Sequence, residues 1–186
     1  MTEKYSLAFI PDLLIIEKLK QMKNQLAEKI GWFHSKNAIA HITVCEFELD
    51  ATAITSLQLQ LTQIAKGIQP VKVTLTDLGA YPNGAFFIQP DLESKLHLKS
   101  IMQKFTSRLK LPNMYKSNDP HLSIARKLSD SQIAMAHELF ILEVSSFLCD
   151  SIALRQFNLV KKQYEIIATF PFLDDSSQKI IQTSLF

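Results

Sequence analysis

Two short apolar segments, far apart in the chain, each carry a histidine followed two residues later by a hydroxyl side chain. They read His41-Ile42-Thr43-Val44 and His121-Leu122-Ser123-Ile124. An unperturbed imidazole titrates at about pH 6.5, so one histidine can accept a proton at neutral pH while another donates one. General acid–base assistance of this kind typically accelerates a reaction by about 10²–10⁴-fold. The two histidines therefore predict acid–base chemistry that requires no metal ion.

The hydroxyl residues are placed to assist the histidines. Successive side chains of an extended strand point to opposite faces, so Thr43 shares the face of His41. In the same way Ser123 shares the face of His121. A hydroxyl on that face can donate a hydrogen bond to an oxygen that gains negative charge during a reaction. Ser123 is not predicted to be a nucleophile, because no Asp or Glu partner in triad order is apparent.

The elements that must position these segments occur twice. Pro11-Asp12-Leu13 and Pro90-Asp91-Leu92 each follow a short apolar run and lead into a long helical pattern. The second triplet lies 79 positions after the first, and His121 lies 80 positions after His41. Each half is thus predicted to contain a strand, a helix and a histidine strand, in that order. We predict an α+β fold in which two similar lobes with antiparallel sheets line a central cleft, with the helices outside.

The predicted elements follow from periodicity and from turn residues. Strands are predicted at 5–10, 39–49, 71–78, 85–89, 144–160 and 164–170, and helices at 12–30, 52–66, 91–109 and 129–142. Residues 112–119 are predicted to form a polar loop. We expect one domain over residues 1–186, with pseudo-two-fold-related lobes at about 1–80 and 81–172 and a tail at 173–186.

Composition limits the classes of function. The 186 residues are 47% hydrophobic and carry a formal net charge of +2, which fits a globular chain and is too balanced for a general polyanion binder. No apolar run approaches membrane-spanning length, and the N-terminal apolar stretch is too short for a secretory signal. Two cysteines give no disulfide framework. We therefore expect a cytoplasmic monomer that acts away from membranes.

The paired segments resemble the two-histidine (2H) phosphoesterase superfamily, which includes the 2′-5′ RNA ligase-like proteins and cyclic phosphodiesterases. Its signature is two copies of His-x-Thr/Ser-x with apolar x positions, separated as they are here, and the resemblance extends over residues 5–172. It implies substrates with 2′,3′-cyclic phosphates, on RNA ends or small nucleotides, or with 2′-5′ linkages. It implies catalysis by His41 and His121, phosphate binding by Thr43 and Ser123, and no cofactor.

Further residues are candidates for substrate binding. Trp32 and Phe33 lie before the first histidine segment and could stack on a base, although loop aromatics also pin loops to a core. Tyr115 and Lys116 lie in the loop before the second segment, which could close over a ligand. Lys127 could hold phosphate charge, because strand alternation extended past His121 places it on the histidine face.

The same alternation makes two further predictions about the histidine strands. It places Cys45 and Phe47 on the face of His41, where Cys45 is interpreted as a small filler of the strand. It places Arg126 on the face opposite to His121, unless the strand bulges.

Other interpretations of the two segments stay open from sequence alone. The cleft could bind a nucleotide or an RNA end without turnover, or join 2′-5′ linkages by the reverse reaction. A metal site on His41 and His121 would need a third and usually a fourth ligand, and no nearby His-x-His or cysteine pair offers one. Purely structural histidines would leave the matched hydroxyls and the repeat unexplained.

Overall fold

Nine strands and four α-helices lie within residues 2–175, the part of the chain that the computed structural model describes. In chain order they are β1 (Thr2–Phe9), α1 (Leu13–Ile30), β2 (Ile42–Asp50), a 3₁₀ turn (Ala51–Ala53), α2 (Ile54–Lys66), β3 (Val71–Tyr81), β4 (Ala85–Pro90), α3 (Leu92–Arg108), β5 (Tyr115–Lys116), β6 (Leu122–Ala125), α4 (Asp130–Leu139), β7 (Ser145–Cys149), β8 (Ser151–Asn158) and β9 (Gln163–Pro171). Most of the tail predicted at 173–186 lies outside the described residues.

The two Pro-Asp-Leu triplets begin equivalent helices. Asp12 is the N-cap of α1 and Asp91 is the N-cap of α3. Each carboxylate accepts a hydrogen bond from the backbone N–H three residues later, at 2.9 Å and 2.7 Å respectively. These bonds satisfy donors that the first turn of a helix leaves without an intrahelical partner. The repeat read from the sequence is therefore a repeat of strand ends and helix starts.

The strands form two antiparallel sheets. The first sheet has the order β5-β2-β1-β8-β9, and the second has the order β6-β4-β3-β7. The helices pack on the sheets, with α2 against β9, α3 against β3 and α1 against β6, around a continuous apolar core. This architecture confirms the predicted α+β class.

The sheets do not follow the two halves of the sequence. Strand β3 belongs to the second sheet although all but its last residue lies within the first half, residues 1–80. Strands β8 and β9 belong to the first sheet although they lie near the end of the chain. The boundary between lobes at about residue 80 stays a prediction from the repeat, and each sheet is built from strands of both halves.

The predicted strand at 144–160 and the predicted loop at 112–119 were both wrong in detail. Two strands separated by Asp150 replace the single strand, and they pair in different sheets, β7 with β3 and β8 with β1. Alternation cannot reveal such a change of sheet, because both strands have the same period. Within the predicted loop, β5 adds to the edge of the first sheet by pairing with β2.

Each histidine strand contains a β-bulge one residue after the hydroxyl residue. The two neighbours of Val44 pair with successive residues of β1, and the two neighbours of Ile124 pair with successive residues of β4. An extra residue of this kind reverses the alternation beyond it. Cys45 and Phe47 are consequently buried in the core, so their predicted place on the face of His41 was wrong. The interpretation of Cys45 as a filler of the strand is consistent with this burial.

Candidate active site

Both catalytic candidates lie immediately before their strands and hold the same hydrogen bond. The Nδ1 atom of His41 lies 2.7 Å from the carbonyl oxygen of Ile39, and that of His121 lies 2.8 Å from the carbonyl oxygen of Asp119. A carbonyl can only accept, so Nδ1 carries the proton in each ring. Each neutral imidazole therefore presents an unprotonated Nε2 atom, which can accept a proton as a base or donate one when charged.

The two segments show the same pattern of burial. Ile42, Val44, Leu122 and Ile124 are buried, whereas His41, Thr43, His121 and Ser123 are partly exposed. The histidine and the hydroxyl of each segment thus share one open face, as predicted. The charge of His121 is among the causes that lower the pKa of His41, so the two rings interact electrostatically.

Positively charged groups act on His41. Burial is the main cause that lowers the pKa of its ring, and the guanidinium of Arg155 and the ammonium of Lys23 lower it further. The hydrogen bond to Ile39 acts in the opposite direction. Solvent still reaches part of the ring. The neutral form of His41 is therefore favoured.

His121 lies against aromatic rings and a carboxylate. Its ring centroid is 4.7 Å from that of Phe87 and 5.6 Å from that of Tyr81. The Tyr81 hydroxyl donates a hydrogen bond to the Asp119 carboxylate, which also lies 3.6 Å from the ammonium of Lys95. Burial lowers the pKa of His121, whereas its hydrogen bond to the Asp119 carbonyl and the Asp119 carboxylate raise it.

Gly79 makes room for the ring that supports His121. It pairs with Phe87 across β3 and β4, and a Cβ atom at this position would lie 2.5 Å from Cε2 of the Phe87 ring. We expect Gly79→Ala to displace that ring and to lower kcat by roughly 10–100-fold, since small misplacements of catalytic groups are costly. Gly67→Ala, where the nearest atom is 4.0 Å away, is the matched control. Steady-state kinetics of both variants check this, and an unchanged kcat in Gly79→Ala would contradict it.

The residues predicted to bind substrate from the two loops differ in their surroundings. Tyr115 is 66% exposed, and its electrostatic effect on Tyr81 is among the causes that raise the pKa of that hydroxyl. Lys116 is exposed and pairs with Cys45 at the sheet edge. Trp32 is 69% exposed and packs edge-on against His34, with ring centroids 5.0 Å apart.

Phe33 is 5% exposed and belongs to the core. Its prediction as a residue that stacks on substrate was therefore wrong. A buried ring has no free face for a base, and the sequence alone does not distinguish an aromatic residue that pins a loop from one that projects from it. The alternative interpretation, in which a loop aromatic anchors its loop, applies to this residue.

The bulge in β6 changes the roles expected of two cations. Strand β6 ends at Ala125, so the alternation used to place Lys127 does not extend to that residue. Lys127 lies beyond the strand, exposed and with a left-handed φ of 58°. Arg126 instead acts on His121 and lowers the pKa of its ring, although the straight-strand prediction placed it on the other face. Its backbone N–H donates to the His34 carbonyl at 3.1 Å.

Sequence reasoning missed several residues of the site. In the folded chain His121 contacts Tyr81, Phe87 and Asp119. Lys95 acts electrostatically on His121, and Arg155 acts on His41. Only two of them had a readable signal. Arg155 is the one charged residue in the apolar run 151–157, and Asp119 lies two positions before His121.

The described residues contain neither a metal-binding cluster nor a membrane-spanning helix. Among residues 2–175, no group of three or more His, Cys, Asp or Glu side chains is arranged to hold a metal ion. Within the same range no helix is both long and apolar enough to cross a membrane.

The fold and the paired motif define a class of protein: a two-histidine site on an α+β scaffold with two antiparallel sheets. The family model of the 2′-5′ RNA ligase superfamily matches residues 13–160. The chain belongs to this family, which confirms the resemblance seen in its sequence.

Solved structures share the fold over almost the whole chain. Escherichia coli LigT complexed with NADP+ has a TM-score of 0.63 at 14% identity, with 93% of this chain and 99% of that one covered. TT0787 of Thermus thermophilus has a TM-score of 0.63 at 16% identity, covering 92% and 99%. Usb1 of Kluyveromyces marxianus has a TM-score of 0.53 at 12% identity, covering 91% and 98%. No curated protein sequence matches the chain.

Proposed function

We propose that the protein is a metal-independent phosphodiesterase that opens 2′,3′-cyclic phosphates on RNA ends or small nucleotides, or cleaves related 2′-5′ linkages. The observation that carries this proposal is the matched pair of imidazoles. Each has its Nδ1 proton bound by a carbonyl two residues earlier, which leaves the same nitrogen, Nε2, to exchange a proton in each ring.

In the proposed reaction one histidine acts as base and the other as acid. The neutral Nε2 of one ring takes a proton from water as the water oxygen bonds to phosphorus. The bond from phosphorus to the 2′ or 3′ oxygen breaks, and the protonated Nε2 of the other ring gives its proton to that oxygen. The product is a nucleoside phosphomonoester. The reaction consumes one water molecule and no other co-substrate.

The surroundings of the histidines support a substrate with phosphate charge. Thr43 and Ser123 can donate to nonbridging oxygens as charge develops on them. Arg126 near His121 adds positive charge, and Lys116 and Lys127 are proposed to attract the rest of a nucleotide. Tyr115 and Trp32 are exposed aromatics, and we propose that they stack on a base at the mouth of the cleft.

The solved structures of the same fold are consistent with such ligands. E. coli LigT has been crystallised complexed with 3′-AMP, with phosphate and with ATP. We propose that the present chain also takes a nucleotide or an RNA end in its cleft. The two cysteines are both buried and unpaired, which supports a reducing, cytoplasmic location, and we propose that the protein acts as a monomer.

The proposal is tested with a panel of nucleoside 2′,3′-cyclic phosphates and a 2′-5′-linked dinucleotide in the presence of EDTA. Turnover that survives chelation supports it, and chromatography of the product as a 2′- or 3′-phosphate identifies the bond that breaks. Tight binding without turnover on every substrate would instead favour a nucleotide-binding protein. Joining of an RNA 2′,3′-cyclic phosphate to a 5′-hydroxyl end would show that the reverse, ligating reaction takes place.

The two hydroxyl residues give a separate prediction. Thr43→Val and Ser123→Ala are each expected to lower kcat by about 10²-fold, the usual cost of one lost donor to a charged oxygen. Thr62→Val is the control, because this hydroxyl bonds to the Gln58 carbonyl on the exposed side of α2. Stopped assays on a cyclic phosphate measure the effect. Wild-type rates in both motif variants would remove the hydroxyls from the mechanism.

A further inference from the structure

The segment that leads into the first histidine strand is also attached to the second. This segment, residues 33–40, lies between α1 and β2, and we call it the connecting loop. The backbone N–H of Arg126 donates to the His34 carbonyl at 3.1 Å, and the two residues form an isolated antiparallel bridge. The Ser35 hydroxyl donates to the Ile124 carbonyl at 3.4 Å. One loop therefore reaches both histidine strands, β2 through the chain and β6 through hydrogen bonds.

A buried lysine of α1 holds the connecting loop. Lys23 is 2% exposed, and its ammonium donates to the carbonyls of Ser35 at 3.1 Å and Ala38 at 2.6 Å. The Ala38 N–H donates to the same Ser35 carbonyl at 3.1 Å, which closes a turn of the loop. An ammonium has three N–H donors, and two of those of Lys23 are thus used to fix this turn.

The turn held by Lys23 ends next to the group that orients His41. Ala38 is followed by Ile39, whose carbonyl oxygen accepts the hydrogen bond from Nδ1 of His41 at 2.7 Å. Lys23, Ala38, Ile39 and Ala40 line one cavity of about 310 Å³. Because consecutive rigid peptide planes share a Cα atom, the position of the Ala38 carbonyl constrains that of the next carbonyl. A bond to Ala38 therefore acts on the ring of His41 through one residue of backbone.

The connecting loop needs this support because its backbone is unfavourable at one residue. Ser35 has a φ of 73°, in the left-handed region that residues with a Cβ atom rarely adopt. A residue keeps such a conformation only where the surrounding structure fixes it. The hydrogen bonds of Ser35 with Lys23 and with Ile124 fix it from two elements, α1 and β6.

Stability alone does not account for an ammonium at this position. A buried charge costs free energy unless it is compensated, and the two carbonyls accept its protons without neutralising it. Burial and the nearby Lys36 lower the pKa of Lys23 to about 8, so it is still mostly charged at neutral pH. A methionine of similar length would fill the same space without that cost. A lysine at this position therefore favours a role for its hydrogen bonds.

We infer that Lys23 is a positioning residue of the catalytic site: its hydrogen bonds hold the connecting loop, which orients the ring of His41 and ties β6 to the same loop. The inference rests on the proposed function, and it gives Lys23 a role that is exerted through the backbone. Loss of these hydrogen bonds should change the geometry of His41 more than it changes the folding of the chain.

Lys23→Met removes the two hydrogen bonds while it keeps most of the apolar volume of the side chain. We expect kcat on a 2′,3′-cyclic phosphate to fall by roughly 10–100-fold, because small misplacements of a catalytic group are costly. KM and the melting temperature should stay close to those of the parent. Lys29→Met, at an exposed position of the same helix, is the matched control and should retain the parental kcat.

Lys23→Ala allows the missing ammonium to be supplied from solution. The cavity beside Lys23 is also lined by exposed residues, among them Lys20, Asn24 and Asn37, so a small cation can enter it. n-Butylammonium, which has three N–H donors, should raise the kcat of this variant by about tenfold as it restores the position of the loop. Tetramethylammonium at the same concentration carries the same charge without a donor, and it should not raise kcat.

The ring of His41 gives a readout that needs no substrate. Long-range ¹H–¹⁵N NMR spectra distinguish the two neutral tautomers of an imidazole, and a His41→Gln variant assigns the signals. The parent should show the proton of His41 on Nδ1, bound by the Ile39 carbonyl. In Lys23→Met the other tautomer of His41 should become populated. The tautomer of His121 should not change, since its Nδ1 atom is held by the Asp119 carbonyl.

Three results would overturn the inference. One is a folded Lys23→Met variant with the parental kcat and an unchanged tautomer of His41. Another is an equal gain of kcat in Lys23→Ala from both cations. If Lys23→Met does not fold, Lys23→Gln replaces it, because its amide is too short to reach both carbonyls, and the parental kcat in that variant is the third. Failure of the proposed function looks different, since the tautomer of His41 would still shift while the parent turns over no phosphodiester.

Discussion

Replacing either His41 or His121 with alanine is expected to lower kcat on a 2′,3′-cyclic phosphate by about 10²–10⁴-fold. Each variant removes one of the two Nε2 atoms, so either the attacking water or the leaving oxygen loses its proton partner. The double variant should be little slower than the slower single variant, because groups that act as one unit lose their effects non-additively. Initial rates in EDTA, with product identified by chromatography, measure all three.

The other histidines of the chain provide controls for this experiment. His97 on α3 and His137 on α4 are exposed, and alanine at either position should leave kcat within about twofold of the parent, the usual scale for surface changes. Both motif histidines are partly exposed, so their variants should retain the melting temperature of the parent to within a few degrees. A motif variant that folds and keeps full activity would contradict paired catalysis.

Local patterns in the sequence were sufficient to predict those features of the fold and site that depend only on residues close together in the chain. Alternation over four residues was enough to place Thr43 with His41 and Ser123 with His121, because both segments are extended up to the hydroxyl. The caps at Asp12 and Asp91 depend only on the three residues that follow. The spacing of 80 between the histidines reflects two copies of this local order.

Features that depend on pairing between distant strands were not accessible in this way. The bulges at Val44 and Ile124 are defined by the partner strands β1 and β4. The four-residue motif itself contains no signal that one of its residues is left unpaired in the sheet. The burial of Cys45 follows from the first of these bulges, whereas the alternation used to place Lys127 fails because β6 ends at Ala125. Periodicity also cannot predict that strands of one half join the sheet of the other. It indicates which side chains of a strand are buried, but not the strand with which that strand pairs.

The electrostatic part of the site shows the same limit. Arg155 acts on His41 although 114 positions separate them in the sequence, because β8 pairs with β1, which in turn pairs with β2. A lone arginine in an apolar run is a signal that the sequence contains, but it does not identify the group on which the arginine acts. The duplicated elements thus supply matched imidazoles, and the strands that exchange between halves make their environments unequal.

Gly84→Ala is expected to lower the free energy of unfolding by about 2–5 kcal/mol, the largest effect on stability among these variants. Gly84 has a φ of +82°, a conformation that costs an L-residue about 1–2 kcal/mol. A Cβ atom there would also lie 2.4 Å from the Leu128 carbonyl oxygen and 2.7 Å from its nitrogen. Those atoms belong to the backbone, so relief requires movement of the chain.

Gly31→Ala separates the two causes of this loss. Gly31 has nearly the same φ of +77°, but no atom among the described residues lies within 4 Å of the place that a Cβ atom would occupy. Its ψ is −160°, a combination that is essentially restricted to glycine, so alanine should cost about 1–3 kcal/mol from the backbone conformation alone. Urea denaturation of both variants measures the difference between their free energies of unfolding. Equal losses would show that the backbone at Leu128 moves away from the added Cβ atom at no cost. Because Leu128 donates to the Gly84 carbonyl at 2.9 Å just beyond Arg126, the Gly84 variant should also lose activity, whereas the Gly31 variant should not.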